Sequence, residues 1–264
     1  MRVHAATEHG VRVLTLTEPP ANTYSYEMMR ELDAAVLDAR MDDAVHVIVI
    51  IGAGEKFFCA GANIGMLREA RPSYKYYFCL HANETMNRLE QTPKLVIAAL
   101  NGHTVGGGLE VALAADLRIA RAGGAKIGLP EVALGVLPGT GGTQRLARLL
   151  GKGRAMELLV SGRLLSMDEA LAMGLVTAVW DDAHLKGRTF LEAVIDYARE
   201  FTPPHKASMA VGHIKRAVQS GLESSFGEGL ALERELQQRL FESDDAKEGI
   251  AANLEKRKAK FAGS

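Results

Sequence analysis

The sequence has only two cysteines in 264 residues, Cys59 and Cys79. It therefore carries no disulfide framework, and no CxxC pair that would hold a metal or run redox chemistry. Two reduced thiols fit a reducing compartment, the cytoplasm, or an organelle matrix if a transit segment has been removed. No apolar run reaches the roughly 18 residues that a membrane span requires. The opening residues, MRVHAATEHGVRVLTL, hold no long apolar stretch with a small-residue cleavage site behind it. Charge excess is also missing: 31 basic residues face 32 acidic ones. A nucleic-acid partner is not expected, because such domains show a basic surplus. HExxH, GxGxxG and GxxxxGK[ST] are absent, which argues against a metal site and against nucleotide binding by those routes. Low-complexity tracts and short internal repeats are absent too.

What is present is a balanced globular composition, 47% hydrophobic and 24% charged. A domain of this length buries roughly 75% of the surface its unfolded chain exposes. Two β-prone stretches, Arg2–Ala6 and Val11–Thr17, flank His9-Gly10, which reads as a hairpin turn. Met28, Leu32, Ala35, Val36 and Ala39 recur at helical spacing. Val47–Ile51 is an unbroken β-branched run, the pattern of a strand buried on both faces of a parallel sheet. The alternation continues with a helix at His81–Gln91, a strand at Leu95–Leu100, a helix at Leu109–Ala115 and a strand at Leu117–Ala120. This predicts an α/β architecture with mostly parallel pairing. Ser166 and Glu169 form a capping box. Beyond Trp180 the signal is helical: Leu191, Val194, Ile195, Ala198 and Phe201 make one stripe, and Lys206–Gln219, Ser225–Phe241 and Asp245–Lys258 read as helices. Their apolar faces need cover from the chain's own core or from a neighbouring subunit.

Three glycine-rich segments follow strand-like runs: Phe57–Ile64, Asn101–Glu110 and Gly128–Gln144. Gly106-Gly107-Gly108 directly precedes an apolar helix. Glycine lets the backbone approach a ligand closely, and a helix start leaves N–H groups free. The same residues also suit a plain strand-to-helix turn. The Ala60-Gly61-Ala62 turn could supply a second donor. Glu110 and Glu131 each sit in an apolar stretch, where burial raises a carboxyl pKa and suits it to acid–base work. As ordinary structure, Glu110 would be a helix-start carboxylate and Glu131 a solvated loop residue. His103 follows a strand end and reads as a satisfied core or turn histidine that could also face a site. Tyr74, Tyr76, Tyr77 and Phe78 lie among Arg68, Arg71 and Lys75, a mix that fits a solvated helix face or cover for an acyl group and phosphates.

Taken together, Phe58-Cys-Ala-Gly-Ala-Asn-Ile64, Asn101-Gly102 through Gly106-Gly-Gly-Leu-Glu110, and Pro130-Glu131 through Pro138-Gly-Thr-Gly-Gly-Thr-Gln-Arg-Leu146 resemble the enoyl-CoA hydratase/isomerase family, also called crotonases. Gly174-Leu-Val176 and the tail Glu248-Gly249 with Glu255-Lys-Arg257 resemble it as well. The resemblance implies a crotonase-like spiral of repeated ββα units over 1–200 carrying an acyl-CoA site, and a C-terminal helical oligomerisation region over 201–264. It further implies a homotrimer or a dimer of trimers. It assigns an oxyanion hole to the backbone N–H groups of Ala62 and Gly107, and catalysis to Glu110 and Glu131. Substrate-binding positions fall on Tyr24, Lys56, Ala60, Ala62, Asn63, Ile64, Gly106, Gly107, Pro130 and Glu131. No cofactor and no metal are implied, since coenzyme A is part of the substrate. Asn63 stands where the family often has Asp, Tyr24 where it often has Leu, and Asn253 where an aromatic is common.

The function so implied is reversible hydration of a 2-enoyl-CoA to a 3-hydroxyacyl-CoA, as in fatty-acid or related acyl-CoA degradation. Possession of both carboxylates favours it over a double-bond isomerase. A thioesterase, a decarboxylase or an RNA-binding relative are the alternatives on the same scaffold. Acyl selectivity is expected to depend on Met66, Leu67, Tyr76, Met86 and Leu137.

Overall fold

His9 and Gly10 both adopt positive φ, 49° and 79°, and reverse the chain between β1 (Val3–Glu8) and β2 (Val11–Leu16). Such two-residue turns match the twist of antiparallel strands. This computed structural model describes residues 1–264. Ser25 accepts a hydrogen bond from Met28 N and starts α1 (Tyr26–Met41), whose predicted apolar face is buried. Then follow β3 (Val47–Gly52), β4 (Phe57–Cys59), α2 (Ile64–Glu69), α3 (Pro72–Gln91), β5 (Leu95–Leu100), β6 (His103–Val105) and α4 (Gly107–Leu113). After β7 (Leu117–Arg121) and β8 (Lys126–Gly128), a 3-10 turn spans Glu131–Leu134. Beyond it come α5 (Gly142–Leu150), α6 (Lys152–Ser161), β9 (Leu165–Ser166), α7 (Met167–Ala172), β10 (Ala178–Trp180), α8 (Asp182–Leu185) and α9 (Phe190–Arg199). The last helices are α10 (Ser208–Leu222), α11 (Phe226–Glu242) and α12 (Asp244–Leu254). No helix is long and apolar enough to cross a membrane.

The strands form two sheets, ordered β1-β2-β3-β5-β7-β10 and β4-β6-β8-β9. Three times the chain passes from the first sheet to the second and then into helical turns, through β3–β4, β5–β6 and β7–β8. That repetition is the ββα spiral. Ile50 of β3 lies opposite Leu14 and Ala98 in parallel register. Every residue of β3 is buried. Ile48 and Ile50 join the larger core with α1, while Val47, Val49 and Ile51 pack with Phe190, Val194 and Ala198 of α9. Burial on both faces explains the unbroken apolar run.

Three expectations need adjustment. The buried stripe of α9 runs through Phe190, Ala193, Val194 and Ala198, leaving Leu191 and Ile195 only partly buried. The helix predicted from His81 starts at Pro72, which occupies the first turn, where a missing N–H costs nothing. The last helix stops at Leu254 instead of Lys258: Lys256 turns the chain with φ 57°, and Arg257 pairs with Glu248 at 2.6 Å. Of the late helices, α10 is fastened to the core by Lys215, whose Nζ reaches Asp116 Oδ2 at 2.9 Å and the Lys94 carbonyl at 3.0 Å.

Candidate active site

In the second sheet β4, β6 and β8 run parallel, so their C-terminal ends lie side by side. The loops leaving those ends carry Ala62, Gly107 and Glu131. Gly106 N donates to Gly128 O at 2.9 Å and ties the second loop to the third. The first is held by Tyr24, whose N donates to Gly61 O at 2.9 Å and whose carbonyl accepts from Asn63 N at 3.1 Å. The glycine run answers to close packing. Gly106 has φ 58°, and a Cβ there would stand 3.1 Å from Glu131 Oε1. A Cβ on Gly107 would fall 2.1 Å from the Tyr24 hydroxyl. The amides of Ala62 and Gly107 donate to no acceptor within the chain and remain free for a ligand.

Glu110 lies in the first turn of α4 and is 2% exposed. Its Oε1 accepts from Thr140 N at 2.8 Å and Gly142 N at 2.7 Å, and its Oε2 accepts from the Thr140 hydroxyl. A carboxylate oxygen has two lone-pair sites, so Oε1 is saturated and Oε2 keeps one open. Burial pushes the Glu110 pKa above the ordinary carboxylate range, against the bonds from Thr140 and Gly142 and the charge of Arg145. Glu131 opens the 3-10 turn after Pro130. Its Oε2 is buried with no partner, which corrects the solvated-loop alternative. Burial pushes its pKa up to about 7; backbone bonding at Glu131 opposes this and the Glu110 charge adds to it.

Both carboxylates line a cavity of about 540 Å³ together with Tyr24, Ala60, Ala62, Ile64, Gly106, Gly107 and Pro130. This size suits a small acyl group and its thioester. Leu67, Phe78, Leu134, Val136 and Leu137 supply an apolar wall, and Lys75 stands among them. Two predicted binding residues lie elsewhere. Lys56 lines a separate cavity of about 700 Å³ with His103, Arg121 and Arg188, and its Nζ sits 5.5 Å from the Phe57 ring centre. That cavity is the larger one, but neither Glu110 nor Glu131 lines it, so size does not locate the chemistry. Asn63 caps α2, accepting from Met66 N at 3.0 Å. His103 is the first residue of strand β6 and not a turn residue; its Nδ1 accepts from Lys126 N at 3.1 Å. Met86 is fully buried in the core, and Met66 and Tyr76 do not line the carboxylate cavity, so of the expected selectivity residues only Leu67 and Leu137 reach it. Sequence reasoning missed Thr140 and Cys79, which both line the cavity. For Thr140 the available signal was a lone hydroxyl inside Pro138-Gly-Thr-Gly-Gly142.

The family described as enoyl-CoA hydratase/isomerase matches residues 6–264. A short-chain-enoyl-CoA hydratase from Clostridium acetobutylicum is 36% identical over 252 residues, covering 95% of this chain and 94% of that protein. A crotonyl-CoA hydratase from Syntrophomonas wolfei is 37% identical over 255 residues, covering 96% and 95%. The crystal structure of an enoyl-CoA hydratase from Geobacillus kaustophilus HTA426 superposes with a TM-score of 0.94 at 43% identity, over 100% of this chain and 97% of that one. A match this long in sequence and in backbone makes this chain a member of the enoyl-CoA hydratase/isomerase, or crotonase, family.

Proposed function

We propose that this protein is an enoyl-CoA hydratase that adds water across the 2,3 double bond of a 2-enoyl-CoA to give a 3-hydroxyacyl-CoA. The observation that carries the reading is the contrast between two carboxylates sharing one cavity. Glu110 is fastened by three donors that favour its ionised form, while Glu131, with one oxygen unpartnered, is pushed up to about 7. Three donors hold Glu110 as an acceptor and suit it to be the base, while the raised, unpartnered Glu131 suits the acid. The amides of Ala62 and Gly107 receive the thioester carbonyl oxygen. Glu110 takes a proton at Oε2, its open position, from the water that attacks C3. The π electrons move onto the thioester as an enolate, which the two amides stabilise. Glu131 delivers its proton to C2. Removing one such donor costs about 3 kcal/mol of transition-state stabilisation.

The short-chain and crotonyl-CoA activities named for the two relatives, and the modest apolar wall, support a small acyl group. Nothing in this scheme calls for a cofactor beyond the coenzyme A of the substrate. Residues 1–200 carry the site, and 201–264 serve assembly into trimers. Exposed Leu222, Phe226 and Leu254 offer apolar surface for a neighbour to cover. The free thiols Cys59 and Cys79 fit the cytoplasm or an organelle matrix. Turnover of crotonyl-CoA in ¹⁸O-labelled water tests the reaction. Label on the C3 hydroxyl is expected; free coenzyme A, carbon dioxide, or a shifted double bond without label would replace this reading with a thioesterase, decarboxylase or isomerase.

A further inference from the structure

Two positions that the family pattern leaves variable meet at the catalytic base. Tyr24 stands where leucine is frequent, and Thr140 occupies the open position in Pro-Gly-x-Gly-Gly. The Tyr24 hydroxyl lies 3.0 Å from Thr140 Oγ1, and Thr140 in turn donates to Glu110 Oε2. Thr140 has one hydroxyl proton. With Glu110 ionised that proton goes to the carboxylate, so the remaining bond runs from the Tyr24 O–H to Thr140 Oγ1. The direction is fixed: Tyr24 donates to Thr140, which donates to Glu110. The phenol is itself held rigidly. Tyr24 is 2% exposed, its ring packs on Phe78 with centres 5.8 Å apart, and its hydroxyl sits against the Gly107 backbone.

We propose that Tyr24 is a positioning residue for Glu110, acting through Thr140 to hold Oε2 aligned and ionised as the atom that takes the proton from water. The role assigned to Oε2 rests on the hydratase reading; the relay does not. A donor that itself accepts a hydrogen bond is a stronger donor, so each link favours the carboxylate form. The charged and titratable groups facing Glu110 are Tyr24, Cys79, Glu131 and Arg145, and those facing Tyr24 are Glu110, Cys59 and Cys79. Only Arg145 and the relay act to keep Glu110 ionised from the side-chain side. The Tyr24 phenol stays neutral, because burial and the nearby Glu110 charge both raise its pKa.

The test follows the infrared band of the protonated Glu110 carboxyl against pH, identified as the band lost in Glu110→Gln. Tyr24→Phe should raise its midpoint by about half a pH unit, and Thr140→Ala by about one. Thr140→Ser should restore the native midpoint. Tyr24→Phe placed on Thr140→Ala should add nothing. Tyr24→Leu gives a second route to losing the hydroxyl should the Phe variant fail to fold. In parallel, the acidic limb of kcat/KM for crotonyl-CoA should move with the band while KM changes less than about twofold. An unmoved midpoint in Tyr24→Phe overturns the relay, as does a further shift in the Thr140→Ala background. A shifted band in a protein that hydrates no enoyl-CoA would uphold the relay and refute the hydratase reading instead.

Discussion

Replacing Glu131 by Gln should stabilise the fold in mildly alkaline solution and leave it unchanged in acid. Glu131 is half-buried, its pKa is pushed up to about 7 chiefly by burial, and its Oε2 has no partner. Below about pH 4.5 the carboxyl is neutral in folded and unfolded chains alike, so Gln changes nothing. Between about 4.5 and 7 the unfolded chain loses its proton first, and stability falls as pH rises. Above 7 the folded chain holds the charge and bears its full cost. A shift from 4.5 to about 7 corresponds to an upper bound of about 3.4 kcal/mol, which solvent screening of a half-buried group reduces to about 1–2 kcal/mol. Glu131→Gln should therefore melt roughly 2–5 °C above the native protein at pH 8 and within about 1 °C of it at pH 4.5. Thermal denaturation at fixed protein concentration measures both. An equal shift at the two pH values, or none at pH 8, would refute the assignment of a raised pKa to this side chain.

The same carboxyl sets the pH profile. With Glu131 protonated and Glu110 ionised in the active form, kcat/KM for hydration should fall as pH rises above about 7 and fall again in acid as Glu110 is protonated; stopped-flow absorbance across the range reads both limbs. Gly107→Ala places a Cβ 2.1 Å from the Tyr24 hydroxyl, so it should cost about 1–3 kcal/mol in urea denaturation and lower kcat. Gly153→Ala, where a Cβ meets nothing within 4 Å, should instead stabilise α6 by about 0.5–1 kcal/mol. Asp116→Asn leaves the buried Lys215 ammonium without its counter-charge and should cost about 3–5 kcal/mol by the same assay.

Where the sequence was legible, a single local pattern carried the information. The β-branched run of β3, the helical spacing of α1 and the His9-Gly10 turn each declare themselves within a few residues. The second sheet does not: β4, β6 and β8 have three residues each and β9 two, too few for any period to show. Its parallel pairing is nonetheless what gathers three glycine-rich loops into one cavity. The first nine residues of α3 were hidden because Tyr76 and Tyr77 point to solvent, where an apolar stripe would have buried them. Glu110 and Glu131 stood out as carboxylates among apolar neighbours, and both reach the cavity. Thr140 did not stand out, because its partners Tyr24 and Glu110 are 116 and 30 residues away along the chain. Lys56, assigned to substrate binding through the family resemblance, is close in sequence to Ala60 yet lines a different cavity.

The claim that the two carboxylates act as one pair, Glu110 as base and Glu131 as acid, is tested most directly by the hydration rate of crotonyl-CoA in Glu110→Gln, Glu131→Gln and the double variant, followed as loss of the conjugated-thioester absorbance. Gln is nearly isosteric but exchanges no proton at neutral pH. Each single change should slow hydration by roughly 10²–10⁴. The double change should cost far less than the product of the two, since residues acting as a unit are not additive. Binding of the CoA ester should persist, because the amides of Ala62 and Gly107 are untouched. Full hydration by Glu110→Gln beside an inactive Glu131→Gln would contradict the account and leave a single-carboxylate, isomerase-like enzyme in its place.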